Sequence, residues 1–317
     1  MTISNLVDNL KTIKSALIFT HTRPDGDTVG SAIALKNALI QLGIDVDVVC
    51  DILVPQKFYI VNGADSFLNL EQVNKKYDAH IAVDCSSRFM FGASYDLFTS
   101  SKNTFNIDHH ISNDRYAKYN YVVENGANAE NIYEVITALG ATITKDIADA
   151  ILLGIITDTG SFSHSNVTPN TLSISAKMLA CGGDLHNIIF KMFKEQSPER
   201  AKLYSKITSK MQYFLDGQVG VLVIEKKDLQ ECDANDTMTE GFIDFPLTVR
   251  TVEVAISLLE TGKNQYKISL RSKGKVNVNE IASIYGGGGH ILASGARING
   301  YKEDVIDKLV YNVKQRL

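Results

Sequence analysis

The sequence predicts an α/β protein with two domains: an N-terminal parallel-sheet domain over residues 1–187, a helical linker over 188–214, and a smaller mixed-sheet α/β domain over 215–317. With 317 residues, the chain is longer than one ordinary core requires. In the first half, short apolar runs alternate with helical patterns, which indicates crossover connections between parallel strands. In the last third, strands and hairpins dominate, which indicates a second sheet of a different kind.

Composition and charge exclude several classes of protein. The chain is 44% apolar and 21% charged, as folded globular proteins are, and its net charge of −4 argues against a protein that coats long nucleic acid. Its apolar stretches are far shorter than the roughly 20 residues of a membrane span, and the N-terminus lacks the apolar block of a signal peptide. The four cysteines form no C-x-x-C pair. We therefore expect a cytoplasmic protein without membrane contact.

Strands and helices alternate through the first domain. The runs ALIFT, DVDVVC, AHIAV and FNI are typical of buried strands, and helices are predicted over 27–41, 129–139 and 145–157. A further helix should begin at Thr168-Pro169 and stop at Gly182-Gly183. Ser197-Pro198 opens another helix, polar on most faces, that we expect to run to about residue 214 and to connect the domains.

The second domain has a different pattern. QVGVLVIE, VEVAISLLE and QYKISLRS are predicted strands, the last two joined by a turn at 261–264. A short helix should follow Asn277 and end at Gly286, and apolar residues on one face predict a packed final helix from Glu303.

Ligand-type side chains follow three of the predicted strands. Because the carboxyl ends of parallel strands share one edge of a sheet, these side chains should converge. Asp158 adds a carboxylate at the end of the apolar helix IADAILLGIIT, where the helix dipole is negative and a positive charge should compensate it. The polar residues at the three strand ends are His21, Asp25, Asp27, Asp84, Asp108, His109 and His110.

Each of these residues alone has an ordinary structural explanation. Asp25-Gly26 is a common turn pair, Asp27 or Thr28 a common helix cap, and paired histidines are often surface residues. Together, however, five aspartates and three histidines at one edge would repel one another unless cations neutralised them. Mixed oxygen and imidazole ligands suit Mn²⁺ or a comparable ion, and zinc is disfavoured because no cysteine accompanies the motif.

Four motifs resemble those of the DHH phosphoesterase superfamily. They are HTRPDGD, AVDCSS, IDHH and IITDTGSF, in that order and spacing, and the C-terminal YKISLRS and GGGGHILASGA resemble the DHH-associated substrate-binding domain. Chain length and the absence of added domains make the chain similar to the bifunctional oligoribonuclease (nanoRNase) and pAp phosphatase family.

The resemblance implies two Mn²⁺ ions, with Mg²⁺ or Co²⁺ as substitutes. It places one ion on His21, Asp25 and Asp84, and the other on Asp27, Asp84, His109 and Asp158. Asp84 would bridge the ions, which would share a hydroxide nucleophile. The resemblance leaves Asp108 and His110 unassigned. We expect Asp108 to support the metal ligands, and His110 to donate to the scissile phosphate or the leaving oxygen.

Substrate-binding candidates lie in both predicted domains. The glycine run at 286–289 lacks the Lys-Ser/Thr of a P-loop, but it follows a short helix and could form an anion-binding nest. Arg271 is the stronger candidate because it lies in a predicted strand whose neighbouring positions Ile268 and Leu270 have the pattern of buried residues. Lys273 and Lys275 fit a solvated edge equally well. Arg88 could hold a phosphate or simply neutralise the acidic edge. The predicted substrate-binding residues are Arg88, His110, Arg271, Gly287, Gly288, Gly289 and His290.

The activity that the resemblance implies is hydrolysis of short oligoribonucleotides, including linear dinucleotides such as pApA, to 5′-mononucleotides, and removal of the 3′-phosphate of pAp. Short single-stranded RNA or DNA, dinucleotides and pAp are the expected partners, and a homodimer is compatible with the sequence. Two alternatives stay open. A manganese pyrophosphatase of the same superfamily is disfavoured by GGGGH, and a non-catalytic nucleotide sensor is disfavoured because all six metal ligands are present.

Overall fold

A computed structural model describes residues 1–317, which form two compact units, Met1–Glu195 and Gln196–Leu317. The first unit contains a five-stranded sheet and the second a six-stranded sheet, so the predicted two-domain α/β class is confirmed. None of the helices combines the length and the apolar character that crossing a bilayer requires.

The first unit is built on a parallel sheet. Its strands are β1 (Ser15–Phe19), β2 (Asp45–Val49), β3 (Ala79–Val83), β4 (Thr104–Asp108) and β5 (Tyr119–Val122). Its helices are α1 (Ile3–Leu10), α2 (Gly26–Gln41), α3 (Tyr95–Thr99), α4 (Asn128–Leu139), α5 (Lys145–Asp158), α6 (Pro169–Ala180) and α7 (Leu185–Ile189). The strand order is β2-β1-β3-β4-β5, and every pair is parallel.

Alternate residues of each strand face opposite sides of this sheet. On β1, Ile18 packs into the large core that the helices α2, α4 and α5 cover, whereas Phe19 packs into an aromatic cluster with Phe91 and Phe98. Both faces are therefore buried, as the continuous apolar runs indicate. The carboxyl ends of the strands are left as the edge where polar groups can gather.

Helices α2 and α5 pack so closely that glycine is required at their crossing. A Cβ atom at Gly30 would overlap the carbonyl oxygen of Ala150, and one at Gly154 would lie 2.6 Å from the Oδ1 atom of Asp27. Asp25 caps α2 by accepting hydrogen bonds from the backbone amides of Asp27 (3.0 Å) and Thr28 (3.1 Å). The crossing therefore fixes the start of α2 against the end of α5.

Replacing Gly30 by alanine should destabilise the protein. The added methyl group meets a backbone carbonyl that cannot rotate away, so we expect the free energy of unfolding to fall by about 1–3 kcal/mol. Denaturant unfolding followed by circular dichroism measures the change. Asn37→Ala, on a half-buried position of the same helix, is the control and should not lower stability. Equal stability of Gly30→Ala and the parent chain would contradict the close crossing.

The second unit is a mixed sheet. Its helices are α8 (Pro198–Ser209), α9 (Lys226–Glu231), α10 (Val278–Ile284) and α11 (Lys302–Lys314). Its strands are β6 (Gln212–Phe214), β7 (Val219–Ile224), β8 (Val254–Gly262), β9 (Gln265–Ser272), β10 (Gly288–His290) and β11 (Ala293–Asn299). The order is β10-β11-β9-β8-β7-β6, with β7 and β8 parallel and the other pairs antiparallel.

The segment predicted as a helical linker is not one continuous helix. Residues 188–194 complete α7 and a following π-helical turn in the first unit, and α8 belongs to the second unit. The expectation that the helix runs to about residue 214 is wrong, because Gln212–Phe214 pairs with β7. A tight turn causes this: Leu215, Asp216 and Gly217 have positive φ angles of 52°, 54° and 82°. The functional domain boundaries stay a prediction.

Candidate active site

A group of acidic and histidine side chains lies at the carboxyl edge of the first unit's sheet. His21 follows β1 and Asp84 directly follows β3, whereas Asp27 begins α2 and Asp158 ends α5. We call this group the carboxylate–histidine cluster; its members are His21, Asp25, Asp27, Asp84, His109 and Asp158. The structure therefore brings together all six residues for which the resemblance implies metal binding.

Asp84 lies at the centre of the cluster and is 3% exposed. Its Oδ2 atom is 3.8 Å from Nε2 of His21, and its Oδ1 atom is 3.5 Å from Nε2 of His109. The backbone of Asp84 has a φ angle of 54°, a left-handed conformation that non-glycine residues adopt at a cost, often at functional sites. The two oxygens thus face two different histidines, as a carboxylate shared by two cations must.

The other members of the cluster lie in two halves on either side of Asp84. His21 and Asp25 form one half, and Asp27, His109 and Asp158 form the other. Nε2 of His21 is 3.7 Å from Oδ2 of Asp25, and Nε2 of His109 is 4.0 Å from Oδ2 of Asp27 and 3.8 Å from Oδ2 of Asp158. These separations are too long for hydrogen bonds. They are close to the roughly 3.0–3.5 Å between neighbouring ligands of a cation whose bonds are about 2.1 Å long. The donor set therefore fits divalent cations.

Asp27 is held by the start of α4. Its Oδ2 atom accepts a hydrogen bond from the amide of Asn128 (2.5 Å), and its Oδ1 atom accepts one from the amide of Ala129 (2.9 Å). The helix N-terminus favours the ionised carboxylate. Burial nevertheless dominates and, together with the charge of Asp158, raises the pKa of Asp27 to about 7. Burial and mutual repulsion of the ionised carboxylates are unfavourable in free energy, and a bound cation would offset this.

His109 is oriented by a backbone carbonyl. Its Nδ1 atom is 3.0 Å from the carbonyl oxygen of Asn125, so Nδ1–H donates there and Nε2 faces the cluster, as in many metal-binding histidines. Burial alone would lower the pKa of His109, but Asp84 and Asp27 raise it to about 10. Burial and the charge of Asp27 in turn raise the pKa of Asp84 well above its ordinary value. Without a cation, a proton on His109 supplies the compensating charge.

Binding of a divalent cation should release protons near neutral pH. The raised pKa values of His109 and Asp27 favour protons on both groups near neutral pH, and both groups must be deprotonated to bind a metal. We expect the release of about one to two protons per chain. Calorimetric titration with Mn²⁺ in two buffers of different ionisation enthalpy measures this number. A heat of binding that is the same in both buffers would contradict it.

The same pKa shifts set how stability depends on pH. The folded-state pKa of Asp27, about 7, lies above its ordinary 3.8. The contribution of Asp27 to the free energy of unfolding is therefore fully present below about pH 4 and is lost as the pH rises through about 7. Because the pKa of Asp84 is also raised, Asp84 makes the free energy of unfolding fall with rising pH in the same way. Mn²⁺ should consequently raise Tm more at about pH 8 than at about pH 5.5. An equal rise at both pH values would contradict this assignment.

Asp108 and His110 form a hydrogen-bonded pair that adjoins Asp84 and His109 of the cluster. Nδ1 of His110 is 2.8 Å from Oδ1 of the fully buried Asp108, whose pKa burial alone would raise. Hydrogen bonds from His110, the Asn113 side chain and the amide of His109 outweigh burial and lower that pKa. Asp108 therefore stays ionised and orients His110, whose Nε2 is left to meet a substrate. The roles predicted for the pair are compatible with this geometry and stay predictions.

Several polar side chains that sequence reasoning does not single out support this pair and the backbone beside Asp84. Asn113 donates from Nδ2 to Oδ2 of Asp108 (2.5 Å) and to Oδ1 of Asn106 (2.7 Å). The hydroxyl group of Tyr116 donates to the carbonyl oxygen of Cys85, next to Asp84 (2.7 Å). These residues lie in or after β4, and only the concentration of polar residues behind IDHH could have indicated them.

Arg271 lies in the second unit, on β9. Its Nε atom is 3.7 Å from Oδ1 of Asp244, and it lines a cavity of about 380 Å³ together with Lys267 and several hydroxyl-bearing side chains. His290 and Arg271 both pair with Ala293, one on each side of β11. The strand register therefore brings these two predicted substrate-binding residues close together within the second unit.

The glycine run is an edge strand rather than an open nest. The amides of Gly286 and Gly287 donate to carbonyl oxygens at the end of α10, and Gly288–His290 forms the exposed strand β10 against β11. The amides expected to be free for an anion are thus partly used by the fold. Arg88, in the first unit, is exposed, and its guanidinium carbon lies 4.8 Å from the centre of the Phe89 ring.

Two family models match the chain. The first, the DHH family N-terminal domain, matches residues 15–155, and the second, the DHHA1 domain, matches residues 217–317. Both matches confirm the resemblance inferred from the short motifs, and together they include every residue predicted for the site except Asp158.

Similar proteins extend over nearly the whole chain. The bifunctional oligoribonuclease and PAP phosphatase NrnA of Thermus thermophilus is 29% identical over 315 residues, which cover 97% of this chain and 92% of that protein. The protein of the same name from Mycoplasma genitalium is 28% identical and covers 98% of both chains. The crystal structure of an exopolyphosphatase-related protein from Bacteroides fragilis shares the fold, with a TM-score of 0.87, 24% identity and coverage of 99% and 96%. The chain therefore contains a DHH domain, matched over residues 15–155, followed by a DHHA1 domain, matched over residues 217–317.

Proposed function

We propose that the chain is a metal-dependent phosphoesterase that hydrolyses short oligoribonucleotides, including linear dinucleotides, to 5′-mononucleotides and removes the 3′-phosphate of pAp. The observation that carries the proposal is the position of Asp84, whose two carboxylate oxygens face two separate histidine–carboxylate groups. A pair of cations sharing one carboxylate is the usual arrangement for displacement at phosphorus.

The relatives support the substrate class. The proteins from Thermus thermophilus and Mycoplasma genitalium are named oligoribonucleases and PAP phosphatases, and each aligns with this chain over at least 92% of its own length. Each alignment also covers at least 97% of this chain, so the comparison extends over both the DHH and the DHHA1 domain. A cytoplasmic location and a homodimer stay predictions from the sequence.

The cluster would hold two cations, and Mn²⁺ suits its mixed oxygen and imidazole donors, with Mg²⁺ or Co²⁺ as substitutes. His21, Asp25 and Asp84 would hold one, and Asp27, Asp84, His109 and Asp158 the other. Bound cations would neutralise phosphate charge and lower the pKa of water. The protein's own part is to hold four carboxylates together, through the amides that Asp27 and Asp25 accept from.

His110 supplies the proton chemistry in this proposal. The Nδ1–H group of His110 donates to Asp108, and in the imidazolium form the Nε2–H group also donates, so it could give its proton to a phosphate oxygen or to the leaving oxygen. Arg88 would contact a phosphate on the catalytic unit, and Arg271, His290 and the strand Gly288–His290 would hold the remote part of the substrate, together with the adjacent Gly287.

A substrate panel tests the proposal. We expect Mn²⁺-dependent release of mononucleotides from RNA dinucleotides and of phosphate from pAp, with an efficiency that falls as RNA grows from two to about twenty nucleotides, because the chain is acidic and few cations are available to bind a long backbone. Phosphate release from pyrophosphate alone would instead identify a pyrophosphatase. Nucleotide binding without turnover would identify a sensor.

Replacing Arg271 by alanine should separate remote binding from chemistry. We expect kcat/KM for a dinucleotide or pAp to fall by about 10-fold to 150-fold, equivalent to the 1.5–3 kcal/mol of a charged hydrogen bond. Hydrolysis of bis-p-nitrophenyl phosphate, which has no remote phosphate, should change little. Lys263→Ala, which removes an exposed cation from the turn of the same hairpin, is the control. Equal losses on both substrates would place Arg271 in folding or catalysis instead.

A further inference from the structure

The most exposed large apolar side chains of the protein lie around one edge of one sheet. Leu53 is 85% exposed, Ile111 81% and Phe89 77%, and the next, Tyr301, is 68%. Leu53 follows β2, Phe89 follows β3 and Ile111 follows β4, so the first three all belong to segments at the carboxyl edge of the first unit. Single exposed apolar residues are common, but three on neighbouring segments beside a charged cluster indicate a binding surface.

Phe89 is held close to the cluster by backbone hydrogen bonds. It lies five residues after Asp84, in a 3₁₀ turn whose Met90 carbonyl oxygen accepts a hydrogen bond from the amide of Thr22 (2.8 Å), the neighbour of His21. On the other side, the carbonyl oxygen of Ser86 accepts one from the amide of Asp114 (2.8 Å), in the segment that follows His110. The turn is thereby fixed between the two segments that provide cluster histidines.

Arg88 and Phe89 act as a stacked pair. The guanidinium of Arg88 lies over the Phe89 ring at 4.8 Å from its centre and forms no ion pair with any carboxylate. With Gly92, Ala93, Tyr95 and Asp96, these two residues line an open cavity of about 430 Å³. Since Phe89 is mostly exposed, the rest of its ring is available to a flat partner, and the guanidinium remains available to a phosphate.

We propose that the Phe89 ring stacks on a nucleobase of the substrate whose phosphate reacts at the carboxylate–histidine cluster, with Arg88 beside it on a phosphate oxygen. The inference rests on the proposed function and specifies which residue binds the base. A nucleobase fits because it is a flat apolar surface joined to an anion, which matches an aromatic ring next to an arginine. Stacking on a single ring accepts every base, so Phe89 would supply affinity with little sequence preference.

Two variants and three substrates test this assignment. Phe89→Leu removes the aromatic face and keeps an apolar side chain, whereas Phe89→Tyr keeps the face. The substrates are an RNA dinucleotide and two analogues, each lacking one of the two bases. We expect Phe89→Leu to lower kcat/KM for the intact dinucleotide about 5-fold to 100-fold. Phe89→Tyr, which keeps the aromatic face, should have nearly the kcat/KM of the parent chain. For the analogue that lacks the stacked base, kcat/KM should be the same in both variants as in the parent chain.

The controls separate this inference from the proposed function. Tyr301→Leu removes another exposed aromatic ring, in the second unit, and should change none of the rates. If the parent chain cleaves neither the dinucleotide nor the analogues, the proposed function is overturned. If the parent chain cleaves them but Phe89→Leu lowers all three rates equally, or lowers none, the stacking role is overturned and the proposed function stands.

Discussion

Replacing Asp84 by alanine should abolish hydrolysis of every substrate while the chain still folds. The two oxygens of Asp84 face both halves of the cluster, at 3.8 Å and 3.5 Å from the two histidines, so its loss leaves neither cation correctly placed. We expect kcat to fall at least about a thousandfold, because each cation is worth several kcal/mol of transition-state stabilisation. Initial rates with a dinucleotide, pAp and bis-p-nitrophenyl phosphate at saturating Mn²⁺ measure the loss.

Two further variants control for backbone and ligand effects. Asp84 has a left-handed backbone, which asparagine tolerates better than alanine, so Asp84→Asn should fold at least as well as Asp84→Ala and be similarly inactive. Asp158→Asn should be less damaging, because Asp158 lies beside only one histidine of the cluster. Mn²⁺-dependent turnover by Asp84→Ala would exclude a shared carboxylate.

Replacing His110 by glutamine should lower kcat by about a hundredfold to ten-thousandfold and leave cation affinity nearly unchanged. That range is typical for the loss of a positioned proton donor. The Nδ1 atom of His110 is the atom that faces Asp84, at 3.7 Å, and it is already used by the hydrogen bond to Asp108 at 2.8 Å, so the position suits proton transfer better than metal binding. Steady-state kinetics give kcat, and calorimetric titration with Mn²⁺ gives the affinity.

The partner of His110 supplies the control for this variant. Asp108→Asn keeps the shape of the pair but removes the charge that orients the imidazole, so it should lower kcat less than His110→Gln does. A parallel loss of Mn²⁺ affinity in His110→Gln would make His110 a metal ligand and leave the proton donor unassigned.

The sequence predicts the sheet and the members of the cluster because both depend on local patterns. Buried runs of five residues identify β1, β3 and β4, and parallel strands bring their carboxyl ends to one edge. Gly30 and Gly154 indicate that α2 and α5 each pack closely against another segment. Small residues alone do not show which two helices meet.

Contacts between distant segments could not be predicted in this way. The amides that hold Asp27 belong to Asn128 and Ala129, 101 and 102 residues away along the chain. The glycine run at 286–289 predicts an open loop from the sequence alone, because the pairing of β10 with β11 is recognisable only once the sheet order is known. Phe89 gave no signal because a single aromatic residue after a strand is more often buried than exposed.

The attachment of Asp27 to α4 also bears on the kinetics of folding. The cluster joins segments from His21 to Asp158, so its ligands meet only after long loops have closed and the helices have docked. Loop-closure entropy must be paid before such non-local contacts contribute, and interactions that are absent from the folding transition state act mainly on the unfolding rate. A cation bound there would lengthen the lifetime of the native chain by slowing its unfolding, and it would have little influence on how fast a nascent chain first folds.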